Sequence, residues 1–149
     1  MRARGFTLIE LIAMLVLAGI LAIVALPRLN LLGGWNEIGY RDRVKATLEF
    51  ARKSAVAQRR SVRVTIAASG LTVVAQVQTP EGEGAAGFMP LNLPASGTNT
   101  FAAPAGVSLT PADEVVIFDA LGRPDAGKAF VVSGGAGTIT VEAETGYVR

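Results

Sequence analysis

The chain has 149 residues, 14 basic and 12 acidic, and half of it is hydrophobic at a mean hydropathy of +0.43. That length holds one core of modest size, and a charged fraction of only 17% is low for a domain bathed in water. With no Cys and no His, disulfides, structural zinc sites, Ser-His-Asp hydrolysis and Cys-His chemistry are excluded at once.

The apolar excess lies at the start. From Phe6 to Leu26 the only charge is Glu10, with Arg2 and Arg4 before the run and Pro27 and Arg28 after it. As a helix this run is about 31 Å long, close to the hydrocarbon thickness of a bilayer. A secretory signal has a shorter apolar stretch ending at a small-residue cleavage site, so a retained transmembrane helix is expected instead. Counting positive charges leaves its orientation undecided, because Arg28, Arg41, Arg43 and Lys45 follow within reach. A carboxylate in an apolar helix is costly unless paired, which makes Glu10 a functional candidate; near the end of the run it can also simply reach the headgroups. Gly19 and Pro27 are the soft points of the helix, Pro27 because it removes a backbone donor, and Gly33-Gly34 adds another.

The segment GFTLIE (Gly5 to Glu10), followed by an apolar helix, resembles the leader and N-terminal region of type IV pilins and type II secretion pseudopilins. The resemblance implies a leader at residues 1–5, cleavage by a prepilin peptidase after Gly5, and methylation of the new amine on Phe6. It implies that residues 6–27 form the transmembrane and filament-core helix, with the N-terminus cytoplasmic. Residues 28–149 would then form a periplasmic globular domain that includes the second half of the helix. It also implies that Glu10 docks on the N-terminal ammonium of a neighbouring subunit. The implied partners are other pilins or pseudopilins, the peptidase, the inner membrane and its assembly platform. Bare Gly5 lets a protease approach the backbone, and loss of Arg2 and Arg4 leaves equal numbers of basic and acidic residues.

Further along, Asn36 is expected to cap a second helix reaching about Arg60. Tyr40, Val44, Thr47, Leu48, Ala51 and Ala55 share one face of it, opposite Arg41, Arg43, Lys45, Glu49, Arg52 and Lys53. After Ser61 the period becomes two. Val62, Val64 and Ile66 mark a strand, Ala68-Ser69-Gly70 a turn, and residues 71–77 the returning strand. A proline- and glycine-rich loop follows over residues 79–106, with a short strand at 88–91. Strands are expected at 107–109, 115–118, 130–133 and 138–141, a hairpin loop at 133–137, and an edge closed by Tyr147-Val148. A helix followed by short antiparallel strands is an α+β pattern. The segment LEFARKSAVAQRRSVRVTI (residues 48–66), Phe118 to Pro124 and the terminal GYVR resemble the minor pseudopilin H and FimT-type minor pilin branch. That likeness implies a pilin-like fold with two small antiparallel sheets against the helix.

No catalytic constellation emerges, so an enzyme is not expected, and neither is a cofactor or a metal. Asp113, Glu114, Asp119 and Asp125 lack the spacing of a calcium loop and read as turn and surface carboxylates. Residues 41–63 hold eight basic side chains against Asp42 and Glu49, whereas residues 64–149 hold three basic against eight acidic. Such asymmetry suits complementary faces of stacked subunits. It also suits a phosphate-binding stripe, so DNA binding through Arg59, Arg60, Arg63 and Arg149 stands as the alternative, one known among FimT-type minor pilins. The acidic tail VEAETGYVR weighs against it. The leading expectation is a structural subunit of a type II secretion pseudopilus or a type IV pilus.

Overall fold

A computed structural model describes residues 7–29, 33–67, 72–80, 87–94 and 96–149, with the side chains of the first helix described as far as residue 21. Chain contacts divide the protein into two units, Met1–Trp35 and Asn36–Arg149.

In the first unit, helix α1 runs from Leu8 to Leu29. Its start is a capping box. Thr7 stands just before the helix and exchanges contacts with Glu10, three residues on: the Thr7 N–H and hydroxyl donate to Glu10 Oε2 at 3.5 Å, and the Glu10 N–H donates to Thr7 Oγ1 at 3.4 Å. Pro27, expected as a soft point, does not interrupt the helix, which continues two residues further to Leu29. In the last turn a proline costs one backbone hydrogen bond, too little to stop a helix already propagated over five turns. Gly19 lies within α1, and a side chain added there would meet nothing within 4 Å. The membrane-spanning expectation finds no support within this range: among the described residues, where the side chains of α1 end at residue 21, no helix is long and apolar enough to cross a membrane. Gly5 and Phe6 lie outside the described residues.

Helix α2 spans Gly33–Gln58. Asn36 is therefore inside the helix and does not cap it. A cap contributes about 1 kcal/mol, a preference readily overridden by the rest of a helix this long. The expected stripe is the buried one: Tyr40, Val44, Thr47, Leu48, Ala51 and Ala55 are all inaccessible, joined by Ser54. Thr47 satisfies its hydroxyl on the Arg43 carbonyl at 2.8 Å. At its C-terminus, the Arg59 N–H reaches the Val56 carbonyl (3.3 Å) and the Arg60 N–H the Ala55 carbonyl (3.2 Å). This pair of bonds is the Schellman arrangement, which places the residue just past the helix C-cap in the left-handed region, and Arg59 has φ 51°.

Among the described residues the chain then forms eight strands, every pairing antiparallel: β1 Val62–Ile66, β2 Thr72–Gln78, β3 Phe88–Pro90, β4 Thr100–Ala102, β5 Leu109–Thr110, β6 Val115–Phe118, β7 Lys128–Val132 and β8 Gly137–Val141. The larger sheet runs β3-β2-β1-β6, and β4 pairs with the same edge of β2 as β3, end to end with it. The smaller runs β5-β7-β8, with Val148 bridged to Val141. The expectation of two small sheets and of a tail closing an edge is met. Strand β4 falls inside the stretch expected to be loop; three residues pairing with a sheet edge carry too little periodicity to be read. Strands expected at 107–109 and 130–133 are shifted to Leu109–Thr110 and Lys128–Val132, because cross-strand register sets their ends.

Alternation decides which strand face is inside. Val62, Val64, Ile66, Val73, Ala75, Val77, Val116 and Phe118 from the larger sheet, and Leu109, Phe130, Val132, Ile139 and Val141 from the smaller, join the α2 stripe in one apolar cluster. The two loops at residues 119–122 and 142–146 meet beside α2. A side chain on Gly146 (φ +65°) would place its Cβ 2.2 Å from the Gly122 carbonyl, and one on Gly122 (φ +79°) would strike Val56 at 2.9 Å.

Two stability predictions follow from these backbones. Gly146→Ala is expected to cost about 2 kcal/mol or more, since backbone would have to move away from backbone, and urea unfolding measures it. Arg59→Gly relieves a left-handed conformation and is expected to stabilise by up to about 1 kcal/mol in the same assay.

Candidate functional site

Two regions carry the residues singled out from the sequence. In the first, the Glu10 carboxylate is exposed, and its only contacts among the described residues are the long ones to Thr7. A negative charge in the first turn also suits the positive end of the helix dipole. The pattern Thr7-Leu8-Ile9-Glu10 is itself the sequence signature of a capping box. Around it, Leu8, Ile9, Leu11, Ile12, Leu15 and Val16 are all exposed, so α1 is apolar on every side.

The second region is the basic surface of α2 and β1. Most of its cations are occupied within the domain. Arg41 donates to the Ala136 carbonyl at 3.0 Å and to Asp42 Oδ1 at 2.8 Å. Arg43 lies 4.3 Å over the Phe101 ring, Arg52 Nε reaches the Gly122 carbonyl at 3.3 Å, and Lys53 lies 3.9 Å from Glu49. Arg63 is held on both sides: Nε and Nη2 donate to Gln76 Oε1 at 3.2 and 2.7 Å, and its guanidinium lies 4.3 Å over Phe88. Arg149 is on the tail beside β8, where Thr140 binds its backbone and Glu142 lies 3.8 Å from its guanidinium. Only Arg59 and Arg60 of the four sequence-predicted contacts share one groove, with Gln58, Gln78 and Thr79.

Three of the four carboxylates considered for calcium are likewise in use. Asp119 Oδ1 accepts the N–H groups of Leu121 (2.9 Å) and Arg123 (2.8 Å), Asp125 Oδ1 accepts that of Ile117, and Glu114 pairs with Lys128. Among the described residues no cluster of three acidic side chains can hold a metal.

One buried polar group was not anticipated. Tyr40, 3% exposed, packs edge-on against Phe101 at 6.0 Å, and its hydroxyl has no hydrogen-bond partner among the described residues. Burial raises its pKa above the ordinary value of 10.0, partly opposed by the charge of Arg43. Nearby, Arg43, Ala46, Thr47, Phe50, Leu93, Pro94 and Ser96 line an apolar cleft of about 190 Å³.

Residues 41–149 match the family described as type II transport protein GspH. The chain belongs to that family. This GspH-family chain is similar in fold to the minor pseudopilin EpsH of the type 2 secretion system of Vibrio cholerae. One EpsH structure gives a TM-score of 0.57 at 13% identity and a second gives 0.59 at 12%, each covering 76% of this chain and 94% of that one. It is also similar to the type IV minor pilin FimU of Pseudomonas aeruginosa, with a TM-score of 0.52 at 20% identity, over 72% of this chain and 82% of that one. At these identities the likeness is one of fold. No curated protein sequence matches the chain.

Tyr40→Phe is expected to leave the fold intact and to be neutral or stabilising by about 1 kcal/mol, because it deletes an unsatisfied buried hydroxyl. A raised folded-state pKa means that the contribution of Tyr40 is fully present below pH 10 and is lost as pH rises beyond it, when the unfolded chain ionises first. Unfolding curves across that alkaline range should therefore fall less steeply for Tyr40→Phe than for the parent.

Proposed function

We propose that this GspH-family chain is a minor pseudopilin or minor pilin, made as a precursor, held in the inner membrane by α1 and then built into a type II secretion pseudopilus or a type IV pilus. One conjunction carries the reading: GFTLIE and an apolar helix stand ahead of a domain that belongs to the GspH family. Residues 1–5 are the leader, cut after Gly5 by a prepilin peptidase, with Phe6 methylated on its new amine. Until assembly the domain lies in the periplasm.

The physical argument rests on α1. Its backbone extends over 22 residues, about 33 Å, with Glu10 and Arg28 as its only charges. A helix that is apolar on every side needs lipid or other apolar helices around it. In either setting a charged Glu10 needs a counter-charge, and Thr7 supplies only neutral donors at long range. The ammonium released on Phe6 of a sister subunit supplies it. Since the two charges attract strongly in a low dielectric, the pair also sets the axial register in which one helix docks on the next. Burial of α1 against neighbouring helices would then hold the filament together, by close packing within the bilayer and by apolar burial outside it.

DNA binding has less support as a second reading, because Arg63 and Arg149 are engaged elsewhere and only Arg59 and Arg60 lie together.

In cells, Glu10→Val is expected to be processed normally but recovered poorly in sheared filaments, and mass spectrometry of the parent should find a chain beginning at a methylated Phe6. An unprocessed chain, or undiminished recovery of Glu10→Val, contradicts the reading.

A further inference from the structure

The end of α2 breaks a local rule. The residue just past the C-cap in a Schellman turn is usually glycine, because only glycine enters the left-handed region without a Cβ penalty. Here it is Arg59 at φ 51°. A strained residue that the turn itself does not call for directs attention to what its side chain does. Arg59 and the adjacent Arg60 line a polar groove of about 340 Å³ with Gln58, Gln78 and Thr79. One turn earlier, Arg52, Lys53, Val56 and Ala57 line a second groove of about 320 Å³, mostly apolar. Lys53 has 75% of its side chain exposed, and Val56 is exposed at 47%. Leu121, 72% exposed, is next in sequence to Gly122, whose position stacks against Val56.

Cations therefore stand at both ends of a small exposed apolar centre. We propose that this end of α2 is a docking surface for an acidic segment of a partner protein, whose carboxylates meet Arg59, Arg60 and Lys53 while an apolar side chain covers Val56. Guanidinium groups pair with carboxylates through two parallel hydrogen bonds, and side-chain amides such as Gln58 and Gln78 supply further donors. A nucleic acid backbone fits less well. Its charge is carried at every phosphate step, whereas this surface interrupts its cations with the exposed apolar side chain of Val56. The surface lies wholly within the Asn36–Arg149 unit, so the inference goes beyond the filament reading and depends on neither leader nor membrane.

The test uses the full-length protein in detergent micelles and fluorescence anisotropy of three labelled probes: a short peptide of alternating Glu and Leu, its Lys-for-Glu counterpart, and a short DNA duplex. The Glu-Leu peptide is expected to bind and the other two not. Arg59→Gly should weaken binding about tenfold, the size of one lost charge-assisted contact, although it relieves backbone strain and should fold at least as well as the parent. Val56→Asp should weaken it similarly, and Arg149→Ala should leave it unchanged. Absence of peptide binding, undiminished binding by Arg59→Gly, or a duplex that binds as tightly as the peptide would each overturn the proposal.

Discussion

Burial of one helical stripe is the constraint on which the globular unit rests. Tyr40, Val44, Leu48, Ala51 and Ala55 lie on a single face of α2 and contribute to the same apolar cluster as the inner faces of both sheets. Neither sheet is large: the smaller has three short strands, and two edge strands of the larger have only three residues each. Sheets of that size need a helix to cover their apolar face. The residues toward the end of the stripe are small, Ala51, Ser54 and Ala55, and small side chains allow close approach of helix and strand backbones. At the same end the loops at 119–122 and 142–146 come together on glycines, under the Arg52 side chain.

That arrangement also disposes of the charge. A basic helix face looks, in sequence, like one continuous electrostatic surface. In the folded domain it is subdivided: Arg41 ties α2 to the turn before β8, Arg43 covers Phe101, Arg52 holds the 119–122 loop, and Arg63 clamps Gln76 and Phe88 on the outer face of the larger sheet. Each of these guanidinium groups trades some of its hydration for fixed partners, which leaves less of the charge available to a ligand. Arg59 and Arg60, by contrast, share one groove where α2 ends. The same economy applies to the acids, since Asp119 and Asp125 stitch their own loop and Glu114 is matched by Lys128.

The N-terminal helix follows a different logic. Nothing in its described part is covered, and its one acid is tied only to Thr7 through a capping box of long contacts. Such a helix is suited to a setting in which other apolar surfaces, and another charge, surround it. The family assignment rests on the other unit, on residues 41–149. The two parts of the chain therefore support the functional reading from separate observations.

Much of the fold was legible because it depends on local periodicity. The α2 stripe, the alternation in β1 and β6 and the turn at residues 133–137 need only the spacing of apolar side chains and the placement of glycine. What escaped was set by neighbours far away in sequence. Strand β4 exists because Phe101 pairs with Val73 across the sheet, Asn36 was absorbed into a longer helix, and the left-handed Arg59 carries no glycine to announce the turn. By itself the sequence determined most of the elements, the faces they bury, the absence of His and Cys chemistry and the apolar start. Only the tertiary structure decided which arginines are engaged and which are left together, because hydrogen bonds and ring contacts between residues up to 95 positions apart exist only once the chain has closed on itself.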